Sequence, residues 1–492
     1  MCDSGTTTRN IRASDSNRRR GRAAGLLDRA VLAHLGLLGL VTAWAFGGQS
    51  PEARTWLLIW TTVGVGLFFV ALGVLDSVSP GTRRRALSDL WPLLLFDTLV
   101  LAAATNPTFR MIMREQIPYF IQVDPPRAWL PSSARPDLAL RHLWLLNGIL
   151  ISSYNAFLTL RSRQQIRLLL FVLAGNAVVL AVFGTFQHLL GSPGLYFGLV
   201  KTPQEYFFAT FVYHNHWGAY ILLATAASLG LLHHAWRRQW HHDVWHSPMP
   251  AGAVVALLLA ATIPLSGSRS STALLCLLMF GAVTHLLIRV RRQRRSRHES
   301  ALLPVAGILL AVLLASGAIS YLARDVIVRR AELTSRQLEH LLQEDRLDSR
   351  LTLYRDTIRM GMTKPWFGWG LESYGDVFRI YNSQRAVEVR FGQPYYRYAH
   401  SDWLQSFAEN GAVGTILIVL LGLLPLRHAR WSRVSSSLPF YLLAGCATIL
   451  LYAWMEFPFA NPSVLVSFWT CLYLAGRYAS LDIEAQSEER SD

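Results

Sequence analysis

Charge is scarce in this chain of 492 residues: Asp, Glu, Lys and Arg make up 16% of it, against about 25% in soluble globular domains. Cysteine is scarcer still, with four in all. Cys2 lies in a basic tail and Cys276, Cys446 and Cys471 lie inside apolar runs, so no disulfide framework is implied. The chain has no Walker-type phosphate loop, and its Gly368-x-Gly370 is too short to stand for one. No Asp-x-Asp occurs, which argues against the metal-chelating arrangement of many sugar-nucleotide enzymes. Internal repeats, heptad runs and low-complexity tracts are missing as well. Together these deficits exclude an ordinary soluble enzyme, a disordered chain and a disulfide-stapled secreted module.

Apolar residues take the place of charge, at 52% of the chain. Runs of about 20 apolar residues, enough to cross a hydrocarbon core of about 30 Å, recur from residue 30 to residue 478. They predict an all-α polytopic membrane protein of about twelve spans. The spans are expected near 28–47, 55–75, 90–105, 139–160, 166–188, 208–232, 251–267, 271–290, 301–321, 403–425, 437–457 and 463–479. The first is long enough to read as an uncleaved helix and not a signal peptide. The net charge of +16 is not gathered on one face, as nucleic-acid binding would need, but falls in every second loop. Examples are Arg83–Arg85, Arg161 with Arg163 and Arg167, Arg237 with Arg238, Arg289 to Arg297, and Arg427 to Arg433. That pattern follows the positive-inside rule, and an even span number puts both termini in the cytoplasm.

The expected division is a basic cytoplasmic tail (1–27), a first bundle of nine spans (28–321), a periplasmic loop domain (322–402), a second bundle (403–479) and a short tail (480–492). Of the outward loops, 106–137 is rich in proline and is expected to be irregular or re-entrant. The long loop, by contrast, is expected to be mostly helical over 323–363, ending at Pro365 and the Gly368/Gly370 turn.

Four outward constellations could carry chemistry. Ser266-Gly267-Ser268-Arg269-Ser270-Ser271 joins two spans, where free amides at a helix start and a bidentate arginine suit phosphate. The competing reading is an interfacial arginine snorkelling beside a polar hairpin. His400, where the long loop re-enters the membrane, can accept a proton at neutral pH, with Asp402 or Glu409 to orient it; alternatively it is a headgroup-level loop residue. His214, Asn215 and His216 put polar groups at membrane depth, as function or as bundle packing, and no carboxylate or cysteine completes a metal site around them. Arg350 and Tyr354 share a helix face at i, i+4, which also fits a simple exposed pair. His233, His234, His241, His242 and His246 read as a headgroup-facing surface. Asp97 and Glu456 are carboxylates within apolar spans, where such groups mark function, although structural hydrogen bonding is the favoured reading for Asp97.

At these residues the sequence resembles the O-antigen ligase and polymerase family of bacterial envelope glycosyltransferases. Residues 211–220 are similar to a segment that often reads Phe-Val-Asn-Arg-Asn-His-Phe-Ala-Gly-Tyr, and 266–270 resemble a Ser-Arg-Gly hairpin. Residues 350–371 resemble an Arg…Trp…Pro…Gly-x-Gly-Leu stretch, and 400–411 a His-Asn-x-x-Leu-Gln…Glu-x-Gly pattern. The order is the family's, over roughly 207–414; the first five spans match only in hydropathy. Three positions depart from the pattern: Tyr213 stands for Asn, His214 for Arg and Ser401 for Asn.

The resemblance implies transfer of a glycan from an undecaprenyl-diphosphate carrier to an acceptor hydroxyl, at the periplasmic face of a bacterial inner membrane. The acceptor would be lipid A-core, a growing polysaccharide or a protein. It makes Arg269 a diphosphate ligand, aided by His214, Asn215, His216 and Arg350, and His400 the general base or acceptor-positioning group. No cofactor, metal or nucleic acid is expected. A lipid diphosphate leaves readily once its charge is stabilised, and one imidazole can take the acceptor proton, so inverting attack without metal is the expected chemistry. Polymerisation within the same family is the alternative. A lipid-linked-sugar transporter is the rival from another class, and it predicts repeated halves and broken helices at the midplane.

Overall fold

Long apolar runs become long helices, since a chain in hydrocarbon must satisfy its own backbone groups. In chain order they are α1 (Ser4–Trp44), α2 (Pro51–Val78), α3 (Thr82–Ala104), α4 (Pro136–Thr159), α5 (Arg163–Leu189), α6 (His214–Gln239), α7 (Met249–Leu265), α8 (Arg269–Ser296) and α9 (Leu302–Leu322). Two shorter helices follow, α10 (Ser349–Thr363) and α11 (Tyr374–Tyr381), and then α12 (Asp402–Leu423), α13 (Leu438–Tyr452) and α14 (Pro462–Glu488). This computed structural model describes residues 4–489 except 79, 115–116, 203, 205, 240–248, 330, 333–334, 336–348 and 384–395. The expected helical stretch around Leu338, Leu341 and Leu342, and His241, His242 and His246, therefore lie outside the described residues.

Every expected span falls on a helix, but among the described residues nine are long and apolar enough to cross a membrane. The other three fall short for simple reasons. Helix α4 carries Asp137, Arg141, His142 and Asn147 in its first half, while α7 has 17 residues and α13 has 15, below the span length of about 20. The sixth span was expected from residue 208, but α6 starts at His214, because 208–211 fold into an isolated bridge between Phe208 and Phe211.

One bundle end carries the arginine-rich connections and is called the basic end; the other, the loop end, carries the connections from α3 to α4, from α5 to α6 and from α9 to α10. The main core joins α1, α2, α4, α5, α6, α13 and α14, with Trp217, Tyr154, Tyr452 and Tyr473 fully buried. Helix α9 is peripheral, with almost all of its surface facing outward.

The proline-rich loop is more regular than expected. Strands β1 (Phe109–Arg114) and β2 (Ile117–Gln122) pair antiparallel, Met113 opposite Pro118. A two-stranded hairpin leaves one edge of each strand unpaired, so a proline without an N–H fits there. Asn106 anchors the loop: its side chain donates to the carbonyls of Arg127 and Pro131 at 2.9 and 3.1 Å and accepts from Arg127 N at 3.0 Å.

The long loop docks through a backbone splice. Gly411 breaks α12 with φ +64° and ψ −173°. Residues 365–370 fill the break: Trp369 N donates to Ala408 O, Gly370 N to Glu409 O, and Ala412 N to Pro365 O, at 2.8–3.0 Å. A Cβ on Gly411 would meet the Trp366 carbonyl at 2.3 Å, and one on Gly368 the Glu409 carbonyl at 2.3 Å. The two glycine motifs therefore require each other. Leu353, Met360, Trp369, Tyr374 and Phe378 close a small core above the splice.

Candidate functional site

Ser401 starts α12 by capping it: its Oγ accepts from Leu404 N at 3.4 Å and reaches the Ala453 carbonyl at 3.3 Å. His400, just before the cap, has φ +51°, a left-handed conformation that a non-glycine side chain holds only when its surroundings impose it. Tyr354 on α10 is one such restraint, its hydroxyl donating to the His400 carbonyl at 2.9 Å. One turn earlier on the same face, Arg350 Nη2 donates to Glu456 Oε1 at 2.7 Å.

Glu456 lies past the end of α13, in the turn that leads to α14, and is buried. Its second oxygen accepts from the Tyr213 hydroxyl at 3.3 Å and faces His400 Nδ1 at 3.4 Å. Burial pushes this carboxyl up, but the His400 hydrogen bond and the Arg350 charge outweigh it, so its pKa lies below the ordinary value. Burial, then the Glu456 charge, pushes the Tyr213 phenol up, so it remains a donor. Burial alone would lower Arg350, but Glu456 reverses that and its pKa rises. Phe457 is the floor: its ring stacks between Tyr213 (5.4 Å) and Tyr398 (4.6 Å) and meets His400 edge-on at 4.8 Å.

The same network reaches α8. Asn215 Nδ2 donates to the Tyr213 oxygen at 2.7 Å, and Asn215 Oδ1 accepts from Ser268 Oγ at 2.6 Å. Ser268 is the N-cap position of α8 and is buried, whereas its neighbour Arg269, the first helical residue, is exposed. Gly218 permits this approach, since a Cβ there would meet Ser271 Oγ at 2.2 Å. A continuous chain of polar contacts thus runs Ser268–Asn215–Tyr213–Glu456–His400, with Arg350 joined at the carboxylate. The amides opening α8, the Arg350 guanidinium and an imidazole beside a carboxylate are groups that can stabilise an anion and move a proton.

Residues 254–419 match the family model described as O-Antigen ligase. About a third of the chain is therefore similar to the O-antigen ligase family. No curated protein matches the chain. The matched region runs from within α7 through most of α12 and contains Arg269, Arg350, His400, Asp402 and Glu409. Tyr213, His214, Asn215, His216 and Glu456 lie outside it in sequence, yet contribute to the same polar cluster or its border.

The carboxylate that faces His400 is neither of the two expected from the sequence. Asp402 turns to the opposite wall, its Oδ2 accepting from Phe459 N at 2.9 Å. Glu409 accepts from Tyr374 N at 2.9 Å and from Gln405 Nε2 at 3.3 Å, so it ties the ligase splice to α11. Both line a separate cavity of about 260 Å³ with His142 and Glu372. A helix starting at 402 carries its carboxylates away from the residue before its cap, and Glu456, 56 residues on, meets the imidazole instead.

Other expected residues divide. His216 is buried between Gln49 Nε2 and the Phe457 carbonyl, 3.2 Å from each. His214 is half-buried, with Nδ1 3.2 Å from the Tyr206 carbonyl. Asp97 accepts a hydrogen bond from Asn147 at 2.9 Å within the bundle. Phe457 escaped the sequence reading altogether, and Tyr213 entered it only as a departure from a family pattern. The signal for both was adjacency, Phe457 following the buried carboxylate Glu456 and Tyr213 preceding the His-Asn-His run.

Proposed function

We propose that the chain is a glycosyltransferase of the O-antigen ligase type. It moves a glycan from undecaprenyl diphosphate to an acceptor hydroxyl at the periplasmic face of a bacterial inner membrane, with inversion and without a metal. The basic end faces the cytoplasm, as the positive-inside rule requires, which gives the loop end to the periplasm. Arg269 and the amides opening α8 hold the diphosphate, with Arg350 beside them and His214, Asn215 and His216 on the border of the donor site.

In the reaction the acceptor oxygen attacks the anomeric carbon, and its proton passes to His400. The bond from that carbon to the diphosphate breaks, and its electron pair leaves with the diphosphate, where the arginines meet the growing charge. With Nδ1–H turned to Glu456, the imidazole presents Nε2 as the base, and the carboxylate stabilises the imidazolium that forms. Asp402 and Glu409 act outside this step, as supports of the cavity wall and the splice.

The single observation that carries the reading is the His400–Glu456–Arg350 arrangement, joined by hydrogen bonds to the helix start that bears Arg269. The test is purified protein with a lipid-linked donor, offered lipid A-core, polysaccharide and peptide acceptors separately. One acceptor should be glycosylated by the wild type and not by Arg269→Ala. A ladder of lengthening glycans on the carrier would assign polymerisation, and full activity of Arg269→Ala would overturn the reading.

A further inference from the structure

The basic end holds a second concave feature that takes no part in the transfer. Two adjoining cavities, of about 570 and 620 Å³, share His285 and Arg289 near the end of α8. The larger runs down the outside of the bundle between α8 and α13, over Leu278, Gly281, Phe440 and Leu451, and is apolar along that length. Its mouth is polar and basic. Arg289 Nε donates to His285 Nε2 at 3.4 Å, His285 Nδ1 lies 3.0 Å from the Tyr441 hydroxyl, and Arg289 Nη2 donates to Ser437 Oγ at 3.3 Å. The smaller cavity adds Arg292. No Asp or Glu is among the described residues that line either one. Behind the mouth, Asp482 accepts from Ser435 and Ser436 and is paired with Arg163 at 2.8 Å.

We propose that this groove binds an anionic phospholipid of the leaflet at the basic end. One acyl chain lies along α8 and α13, and the phosphate meets Arg289, Arg292 and Ser437. Charge complementarity argues for this occupant: the guanidinium groups of Arg289 and Arg292 at the mouth suit a phosphate, and an apolar trough one helix face wide suits a hydrocarbon chain. Anionic headgroups concentrate on the cytoplasmic leaflet, where basic pockets between spanning helices capture them. Gly281 widens the trough, since a Cβ there would meet nothing within 4 Å.

The experiment is native mass spectrometry of the delipidated full-length protein with palmitoyl-oleoyl phosphatidylglycerol, the matching phosphatidylcholine, and undecaprenyl phosphate. The first tight site should prefer phosphatidylglycerol to phosphatidylcholine by about tenfold, the effect expected of a charge-assisted contact. Arg289→Gln should remove that preference without weakening phosphatidylcholine. Gly281→Leu, which fits the fold and fills the trough, should weaken both, and Arg84→Gln, a basic-end control, should change nothing. Equal binding of the two phospholipids, an unchanged Arg289→Gln, or the same loss in Arg84→Gln would overturn the proposal. Capture of undecaprenyl phosphate that Arg289→Gln abolishes, with phosphatidylglycerol binding unchanged, would overturn the phospholipid as occupant.

Discussion

Replacing Glu456 by Gln changes one charge in the site and little else. The side chain keeps its shape and can still accept from Arg350 Nη2 through its amide oxygen, so the 453–461 turn has no steric reason to move. What disappears is the negative charge facing His400 Nδ1 at 3.4 Å and Arg350 at 2.7 Å. The carboxylate is 2% exposed, so water does not screen it from the imidazole, while Arg350 is 44% exposed and recovers part of its loss from solvent. A hydrogen bond to a charged group contributes about 1.5–3 kcal/mol. At about 1.4 kcal/mol per factor of ten that spans roughly 10- to 150-fold, and the long 3.4 Å contact favours the lower half. The expected result is a fall in kcat of about 10- to 40-fold with a smaller change in donor KM. The assay is glycan transfer by purified protein from a polyprenyl-diphosphate donor, with the thermal midpoint measured alongside. A Glu456→Gln protein that unfolds like wild type and transfers at the wild-type rate would refute the orienting role.

Tyr213→Phe removes the hydroxyl that joins Asn215 to Glu456; at 3.3 Å this is a long bond to a charged carboxylate, so kcat should fall by about tenfold, the low end for such a bond, and an unchanged rate would detach the Asn215 branch from the site. The Glu456 carboxyl is depressed on folding, so its contribution to stability is present above the ordinary carboxylate range and lost as pH falls through the lower folded value. Thermal midpoints between pH 7 and pH 3.5 should therefore drop more steeply for wild type than for Glu456→Gln, and parallel curves would contradict that assignment. Gly411→Ala sets a methyl against the Trp366 carbonyl at a positive φ; a loss of about 2 kcal/mol or more is expected, read as a lowered midpoint or failure to accumulate in the membrane. Chelators should leave the transfer rate unchanged, whereas loss of transfer restored by one divalent cation would overturn the metal-free reaction.

The helical bundle was legible because apolar runs and breaker residues are local signals: each expected span lies on a helix, and only the length and polarity of three differ from expectation. The hairpin at 109–122 was missed because prolines read as loop, whereas one edge of a two-stranded ribbon asks for no donor. The i, i+4 spacing put Arg350 and Tyr354 on one helix face without saying what that face meets, and in the structure it meets the cluster, one residue toward Glu456 and the other toward the His400 carbonyl. The orienting carboxylate was not, because sequence distance favoured Asp402 while a capped helix start directs Asp402 to Phe459. Glu456 was visible only as a carboxylate misplaced among apolar residues. Its partners come from the residue before α6, from α10 and from the residue before the α12 cap, a convergence that one-dimensional spacing does not encode.

The reaction turns on whether the His400 imidazole takes the acceptor's proton while the donor is held elsewhere. Single-turnover transfer by His400→Ala, measured beside its affinity for the lipid diphosphate, separates the two jobs. Donor affinity should stay near the wild-type value while the transfer step slows by about 10²- to 10⁴-fold, the usual contribution of a positioned base. A His400→Ala protein that transfers as fast as wild type, or that loses only donor affinity, would contradict the account.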